Sequence, residues 1–128
     1  MKVPNFFNLL SIFLLGLGCS LSNGQNRLNA DDFEKFIAKN ANLQLIDVRT
    51  PSEFENGHLE NAKNLNVNGG NFEQQIESLD KNKPVAVYCA AGSRSKQAAS
   101  MLEKLGFNVT ELSGGIGAWN GAGKKIIK

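Results

Sequence analysis

The chain has 128 residues, of which 41% are hydrophobic and 20% charged, as in an ordinary globular protein. This length is enough for one domain and too short for two, and such a domain can bury a core without disulfide bonds. The net charge of +2 falls to +1 without the first 24 residues, whose one charged residue is Lys2, so charge predicts neither nucleic-acid nor membrane-surface binding.

The N-terminal segment has the order of a secretory signal peptide. Lys2 is followed by an apolar run from Phe6 to Leu17 and then by small residues up to Gly24. The run is shorter than the ~20 residues of a transmembrane helix. The small-residue boundary and the lack of a polar face argue against the alternative, a buried core helix. We therefore predict a signal peptide and tether in residues 1–24 and a folded domain in residues 27–128.

Two interpretations of the cleavage site remain open. The stretch from Leu15 to Ser20 resembles a bacterial lipobox, which would make Cys19 the lipidated first residue, although Gly16 stands where Leu is usual. Alternatively, the small residues permit cleavage after Ser22 or Gly24. We favour the lipoprotein, whose acyl chains each contribute about 0.8 kcal/mol per buried CH2 to membrane anchoring. Either interpretation predicts export to a bacterial cell envelope, periplasmic or membrane-anchored, with a lipid on Cys19 as the one membrane link.

Helix and strand signals alternate through the rest of the chain. Asn29 is a suitable N-cap for the first helix, and Pro51 suits the first turn of the second. The run from Val85 to Tyr88 is typical of a strand buried on both faces. This alternation predicts an α/β fold with a parallel sheet. The predicted helices cover residues 30–38, 51–54, 72–79, 95–105 and 116–121, and the predicted strands cover 43–48, 62–67, 85–88 and 108–112.

The chain has two cysteines, Cys19 and Cys89, and signal processing removes or lipidates the first. One thiol then remains, so no internal disulfide can form. Cys89 is either a buried, inert residue or a reactive one. Free thiols in exported proteins are prone to oxidation, so an exposed thiol kept there requires a functional reason.

The surroundings of Cys89 favour the reactive interpretation. It follows the most hydrophobic strand, where ligands bind in parallel α/β sheets, and a short loop of small residues with Gly92 leads into a helix. Inward backbone N–H groups, the helix N-terminus and the charge of Arg94 would all stabilise a thiolate. The thiolate is the nucleophilic form of cysteine.

Three motifs make the chain from Leu28 to Lys128 resemble the rhodanese family. The segment Cys89–Ser95 has the C-x-x-G-x-R-S spacing of the rhodanese active-site loop. The segment from Leu45 to Ala62 is similar to D-V-R-x-x-x-E-[FY]-x-x-G-H-I-x-x-A, with Leu59 in place of Ile and Glu60-Asn61 in place of Pro-Gly. The segment from Leu112 to Trp119 is similar to the closing G-G-x-x-A-W.

The resemblance implies a single-domain rhodanese-like fold, with a parallel sheet of about five strands flanked by helices. It implies a sulfurtransferase that moves sulfane sulfur from thiosulfate or a related anionic donor to a thiol or cyanide acceptor through a persulfide on Cys89. No metal or organic cofactor is implied, and we expect a monomer. The expected substrate-binding loop comprises Ala90, Ala91, Gly92, Ser93, Arg94 and Ser95.

The other motif residues have structural interpretations. The resemblance gives the first motif a structural role, and we expect Asp47 and Arg49 to form an ion pair that also involves Glu53. The only histidine, His58, is expected to bond local backbone after Gly57 rather than act as a base. Lys96 is expected to be a solvated charge, and Trp119 is expected to pack in the core.

Two rival functions use the same kind of loop. Phosphatases and arsenate reductases of this fold place five residues between Cys and Arg, whereas four separate Cys89 from Arg94. The shorter loop suits a small sulfur better than a tetrahedral oxyanion. A non-catalytic module that carries or delivers sulfur needs the same loop as the enzyme, so this alternative stays open.

Overall fold

A five-stranded, wholly parallel sheet with the order β1-β5-β4-β2-β3 organises the described part of the chain. The computed structural model describes residues 26–128, so the predicted leader, Cys19 and both cleavage sites lie outside the described residues. The strands are β1 (Asn26–Leu28), β2 (Gln44–Asp47), β3 (Lys63–Asn64), β4 (Val85–Tyr88) and β5 (Val109–Leu112). The helices are α1 (Ala30–Lys39), α2 (Pro51–Glu55), α3 (Phe72–Glu77), α4 (Ser93–Lys104) and α5 (Gly115–Gly121).

Local signals start the first two helices where the sequence predicts them. The Asn29 side chain accepts a hydrogen bond from the Asp32 N–H at 2.8 Å and caps α1. Thr50 and Glu53 form a reciprocal capping box at the start of α2, and Pro51 occupies its first turn. The capping box also fixes Glu53 at the carboxyl end of β2, where it takes part in the candidate site.

The core lies on both faces of the sheet, with β4 in the middle. Because side chains alternate along a strand, Val85 and Val87 face α3 and α4, whereas Ala86 and Tyr88 face α1 and α5. Cys89 continues this alternation toward α4. No helix within residues 26–128 is long and apolar enough to cross a membrane.

The structure confirms the α/β fold with a parallel sheet and corrects several element boundaries. Strand β1 was not expected: no strand was predicted before the first helix, and the domain was predicted to start at residue 27, yet Asn26 begins an edge strand that pairs with β5. Two of its three residues are exposed, so no apolar pattern marks it in the sequence. Helix α4 begins at Ser93, two residues earlier than predicted. Strand β3 has only two residues, although the N–H of Leu65 still bonds the Asp47 carbonyl.

A buried ion pair fastens the end of β2, as the sequence analysis expected. The Arg49 guanidinium bonds both oxygens of Asp47, with an Nη2–Oδ2 distance of 2.7 Å. The same Nη2 donates to the Gly57 carbonyl at 2.6 Å, and the guanidinium lies over the Tyr88 ring. The Tyr88 hydroxyl in turn accepts from the Leu59 N–H at 3.0 Å. The pair thereby holds the segment after α2 against the sheet.

Replacement of Arg49 by Met should strongly destabilise the fold. Arg49→Met leaves the carboxylate of Asp47 buried without its cation, which typically costs about 3–5 kcal/mol. The matched control is Lys83→Met, which removes an exposed ion pair with Asp80 and should change stability by only about 0–1 kcal/mol. Urea unfolding of both variants measures the difference. Equal, small losses in the two variants would show that the Asp47–Arg49 pair does not hold this region.

Candidate active site

Cys89 lies at the carboxyl end of the central strand, where a tight loop returns its backbone toward the sulfur. The residue is 1% exposed. The Gly92 N–H donates to Sγ at 3.0 Å, and the Ser95 hydroxyl oxygen lies 3.6 Å from Sγ. Gly92 adopts φ +114° as the N-cap of α4, a conformation that side chains rarely tolerate. The loop thus encloses the sulfur in hydrogen-bond donors.

These contacts favour the charged form of the thiol. Burial alone would raise the pKa of Cys89, but hydrogen bonds from the N–H and hydroxyl of Ser95 and the N–H groups of Gly92 and Ala91 outweigh it, so the pKa is lowered. The direction agrees with the expectation from the loop sequence. A thiolate held in this way is a nucleophile, and the same donors can hold an anion bound beside it.

The closing Gly-Gly motif fixes the loop from behind. The Ile116 N–H donates to the Cys89 carbonyl at 2.8 Å, and the Gly117 N–H donates to the Ala90 carbonyl at 3.0 Å. Gly115 permits this approach: it has φ +60°, and a Cβ on it would lie 2.6 Å from the Ala90 carbonyl carbon. The start of α5 therefore shapes the loop although it supplies no side chain to the sulfur.

Arg94 makes no hydrogen bond to the sulfur, and the effect of its charge on the thiolate stays a prediction. Its guanidinium makes two bonds to the carboxylate of Glu53, at 2.6 and 2.9 Å. This arrangement also corrects the expectation that Glu53 joins Asp47 and Arg49. The bonds from Arg94 hold the pKa of Glu53 down to about 2. Glu53 was expected to pair with Arg49 because the two residues are close in the sequence. In the structure, helix α2 directs the Glu53 side chain toward Arg94 of α4 instead.

Two other residues have the structural roles predicted for them. The His58 Nδ1 lies 2.9 Å from the Phe54 carbonyl, and the imidazole stacks on the Phe54 ring, so His58 does bond local backbone. Trp119 packs edge-on against Phe33 and donates its indole N–H to the Lys125 carbonyl. Lys96 is exposed, as expected of a solvated charge.

A buried carboxylate behind the loop was not among the predicted site residues. Glu111 on β5 accepts a hydrogen bond from the Ser95 hydroxyl at 3.3 Å and pairs with Arg27 of β1. The side chain of Glu111 is almost fully buried. The available signal was a glutamate inside a strand otherwise composed of apolar and β-branched residues, where an unpaired charge is unfavourable.

The comparisons with known proteins agree with this geometry. The model of the family described as the rhodanese-like domain matches residues 29–122. The chain therefore belongs to the rhodanese-like family. A rhodanese-related protein from Thermoplasma volcanium has the same fold: it matches with a TM-score of 0.72 and 30% identity, over 80% of this chain and 97% of that one.

Relatives of known sequence include proteins named as sulfurtransferases. The thiosulfate sulfurtransferase GlpE of Shewanella oneidensis is 38% identical over 62% of this chain and 78% of its own length. The tRNA uridine(34) hydroxylase of Wigglesworthia glossinidia brevipalpis is 32% identical over 91% of this chain. The chain spans only 38% of that hydroxylase, so the matched segment is one part of a longer protein.

Replacement of Gly115 by Ala should disrupt the loop. In Gly115→Ala the new Cβ would collide with the backbone of Cys89 and Ala90, so the loop must move away from α5. We expect slower thiol alkylation at neutral pH and a lower melting temperature. Gly121→Ala, where a Cβ meets open space, is the matched control and should behave as the wild type. Normal alkylation kinetics in Gly115→Ala would show that α5 does not shape the loop.

Proposed function

We propose that the protein is a thiosulfate sulfurtransferase that carries sulfane sulfur as a persulfide on Cys89. The observation that carries the proposal is the sulfur of Cys89 itself, enclosed by N–H and hydroxyl donors that lower its pKa. Membership of the rhodanese-like family and the similarity to proteins named as sulfurtransferases support the same reaction.

The reaction takes place in two displacements. The thiolate of Cys89 attacks the outer sulfur of thiosulfate, the S–S bond breaks, and its electron pair leaves on sulfite. The outer sulfur of the resulting persulfide carries the negative charge. An acceptor thiolate, or cyanide in an assay, then attacks this sulfur and restores the thiolate of Cys89. This is covalent catalysis with a ping-pong sequence.

The loop backbone, rather than a free cation, supplies the nearest stabilisation for these anions. The same fixed N–H groups that hold the thiolate can also stabilise the negative charge of the persulfide. Arg94 is paired with Glu53, so it acts through its charge without bonding the sulfur and through the order it gives the loop. Its two bonds to Glu53 also argue against a phosphatase, in which the arginine must bond the phosphate.

Replacement of Cys89 by Ser should abolish sulfur transfer without unfolding the protein. A serine hydroxyl fits the same site but cannot form a persulfide. Intact mass after incubation with thiosulfate should show the gain of one sulfur atom in the wild type and none in Cys89→Ser. Transfer to cyanide, measured as thiocyanate, should be lost in parallel.

The pH dependence of Cys89 alkylation in the wild type provides the second measurement, and Cys89→Ser gives the background from any other site. Because the pKa of Cys89 is lowered, the thiolate fraction rises with pH through a midpoint below the ~8.5 of free cysteine. Wild-type turnover in Cys89→Ser would contradict the persulfide mechanism. Hydrolysis of aryl phosphates that depended on Cys89 would favour the phosphatase instead.

We also propose that the protein is exported and anchored through lipid on Cys19, on the grounds of the leader sequence alone. In Cys19→Ser a lipoprotein should lose membrane association and accumulate unprocessed, because the acylated residue is gone. Fractionation of cells and intact mass of the mature chain measure both effects. Unchanged processing in a soluble fraction would instead indicate ordinary cleavage after Ser22 or Gly24.

A further inference from the structure

A chain of hydrogen bonds leads from the Cys89 sulfur to the edge of the sheet. The Ser95 hydroxyl oxygen lies 3.6 Å from the sulfur and 3.3 Å from Oε1 of Glu111. The Glu111 carboxylate is bonded by Arg27 at 3.3 and 3.4 Å. Both Ser95 and Glu111 are buried, whereas the Arg27 side chain is 39% exposed. This series of hydrogen bonds therefore connects the reactive sulfur to a partly exposed cation on β1.

The Ser95 hydroxyl has fewer protons than acceptors. It has a single O–H, yet when Cys89 is a thiolate three acceptors surround it: the sulfur, the Glu111 carboxylate and the Gly92 carbonyl, which lies at 3.2 Å. Two of these acceptors are anionic when Cys89 is a thiolate, and charged acceptors form the stronger hydrogen bonds. When the Ser95 hydroxyl donates its hydrogen bond to Glu111, it no longer donates to the sulfur.

We propose that Glu111 is a positioning residue for Cys89, which competes for the Ser95 hydroxyl and so controls how strongly the sulfur is stabilised as an anion. In the free protein the competition leaves the thiolate less stabilised and more nucleophilic. If the proposed function holds, the same competition also acts when Cys89 carries a persulfide. There the charge moves to the outer sulfur, and the hydroxyl is released to Glu111. The competing carboxylate thereby favours sulfur loading over the resting thiolate.

Other charged groups near the site are already paired or do not touch Ser95. Arg94 of α4 is bonded to Glu53 of α2, and Asp47 of β2 is bonded to Arg49. These two ion pairs are separate from the hydrogen bonds that lead from Cys89 to Glu111. Glu103 of α4 is partly buried and does not hydrogen-bond Ser95. Burial, and after it the nearby charge of Glu111, raise the pKa of Glu103.

The test is the pH profile of Cys89 alkylation in Glu111→Gln, with Glu103→Gln as the matched control. Both variants remove one negative charge from the same region, but only the first replaces the charged competitor for the hydroxyl by an amide oxygen, which is a weaker acceptor. We expect the alkylation midpoint to move to lower pH in Glu111→Gln, with the rate below the wild-type midpoint rising about threefold or more, which corresponds to half a pKa unit. Glu103→Gln should match the wild type.

Two further variants separate the hydrogen bond from simple charge. Most of the shift should disappear when Glu111→Gln is combined with Ser95→Ala, because the shared hydroxyl is gone. Glu111→Asp keeps the charge but withdraws the carboxylate by one methylene, and it should shift the midpoint in the same direction. An unshifted midpoint in both Glu111 variants, or a full shift that persists without the Ser95 hydroxyl, would overturn the proposal. Glu111→Asp retains an anionic partner for Arg27 and carries the test if the amide variant does not fold.

Sulfur loading distinguishes this inference from the function on which it rests. Alkylation does not require thiosulfate, so it reports on positioning alone. If the wild type accepts no sulfur while Glu111→Gln still shifts the midpoint, the sulfurtransferase proposal fails and the positioning role stands. If the wild type turns over normally and the midpoint does not move, only the positioning role fails. Where both hold, Glu111→Gln should also accept sulfur more slowly than the wild type at a pH above both midpoints, where Cys89 is fully ionised in both proteins and only its nucleophilicity differs.

Discussion

The contact between the start of α5 and the Cys89 loop is the constraint on which the site depends. In a trans peptide the carbonyl and the following N–H point in opposite directions. Because the carbonyls of Cys89 and Ala90 are bonded outward by Ile116 and Gly117, the following N–H groups are turned the other way. The N–H of Ala91 is among those that lower the pKa of Cys89. The approach is close enough that only glycine fits at position 115.

The loop also shows how the protein stabilises an anion with little help from charged side chains. Dipoles fixed by backbone hydrogen bonds need no reorganisation when charge develops, and burial strengthens their effect. The nearby cations are occupied elsewhere: Arg94 is bonded to Glu53, and Arg49 to Asp47. Because each of these arginines is already paired with a carboxylate, neither forms an ion pair with the sulfur. The charged side chains that hold the fold are therefore paired with one another rather than with the sulfur.

The sequence allowed local and chemical features to be predicted better than long-range ones. The cap at Asn29 and the helix start at Pro51 depend on residues within one turn, so they can be recognised directly. The reactive loop could be located because Cys89 ends an unmistakable buried strand. The partner of Arg94 could not be predicted, since Glu53 is 41 residues away in the sequence. Arg49 is much nearer to Glu53 along the chain and was therefore the expected cation for it. Strand β1 was missed because an edge strand with two exposed residues has no apolar alternation.

Glu111 shows why a motif does not define a site completely. It lies outside the three motifs that relate the chain to rhodaneses, yet it contacts Ser95, a member of one of them. Its cation, Arg27, lies on β1, which pairs with β5 so that Arg27 is directly opposite Glu111. A chain that began at Leu28 would keep every motif and lose this partner. A buried carboxylate without its cation is unfavourable, so the first strand matters to the electrostatics behind Cys89 as well as to the edge of the sheet.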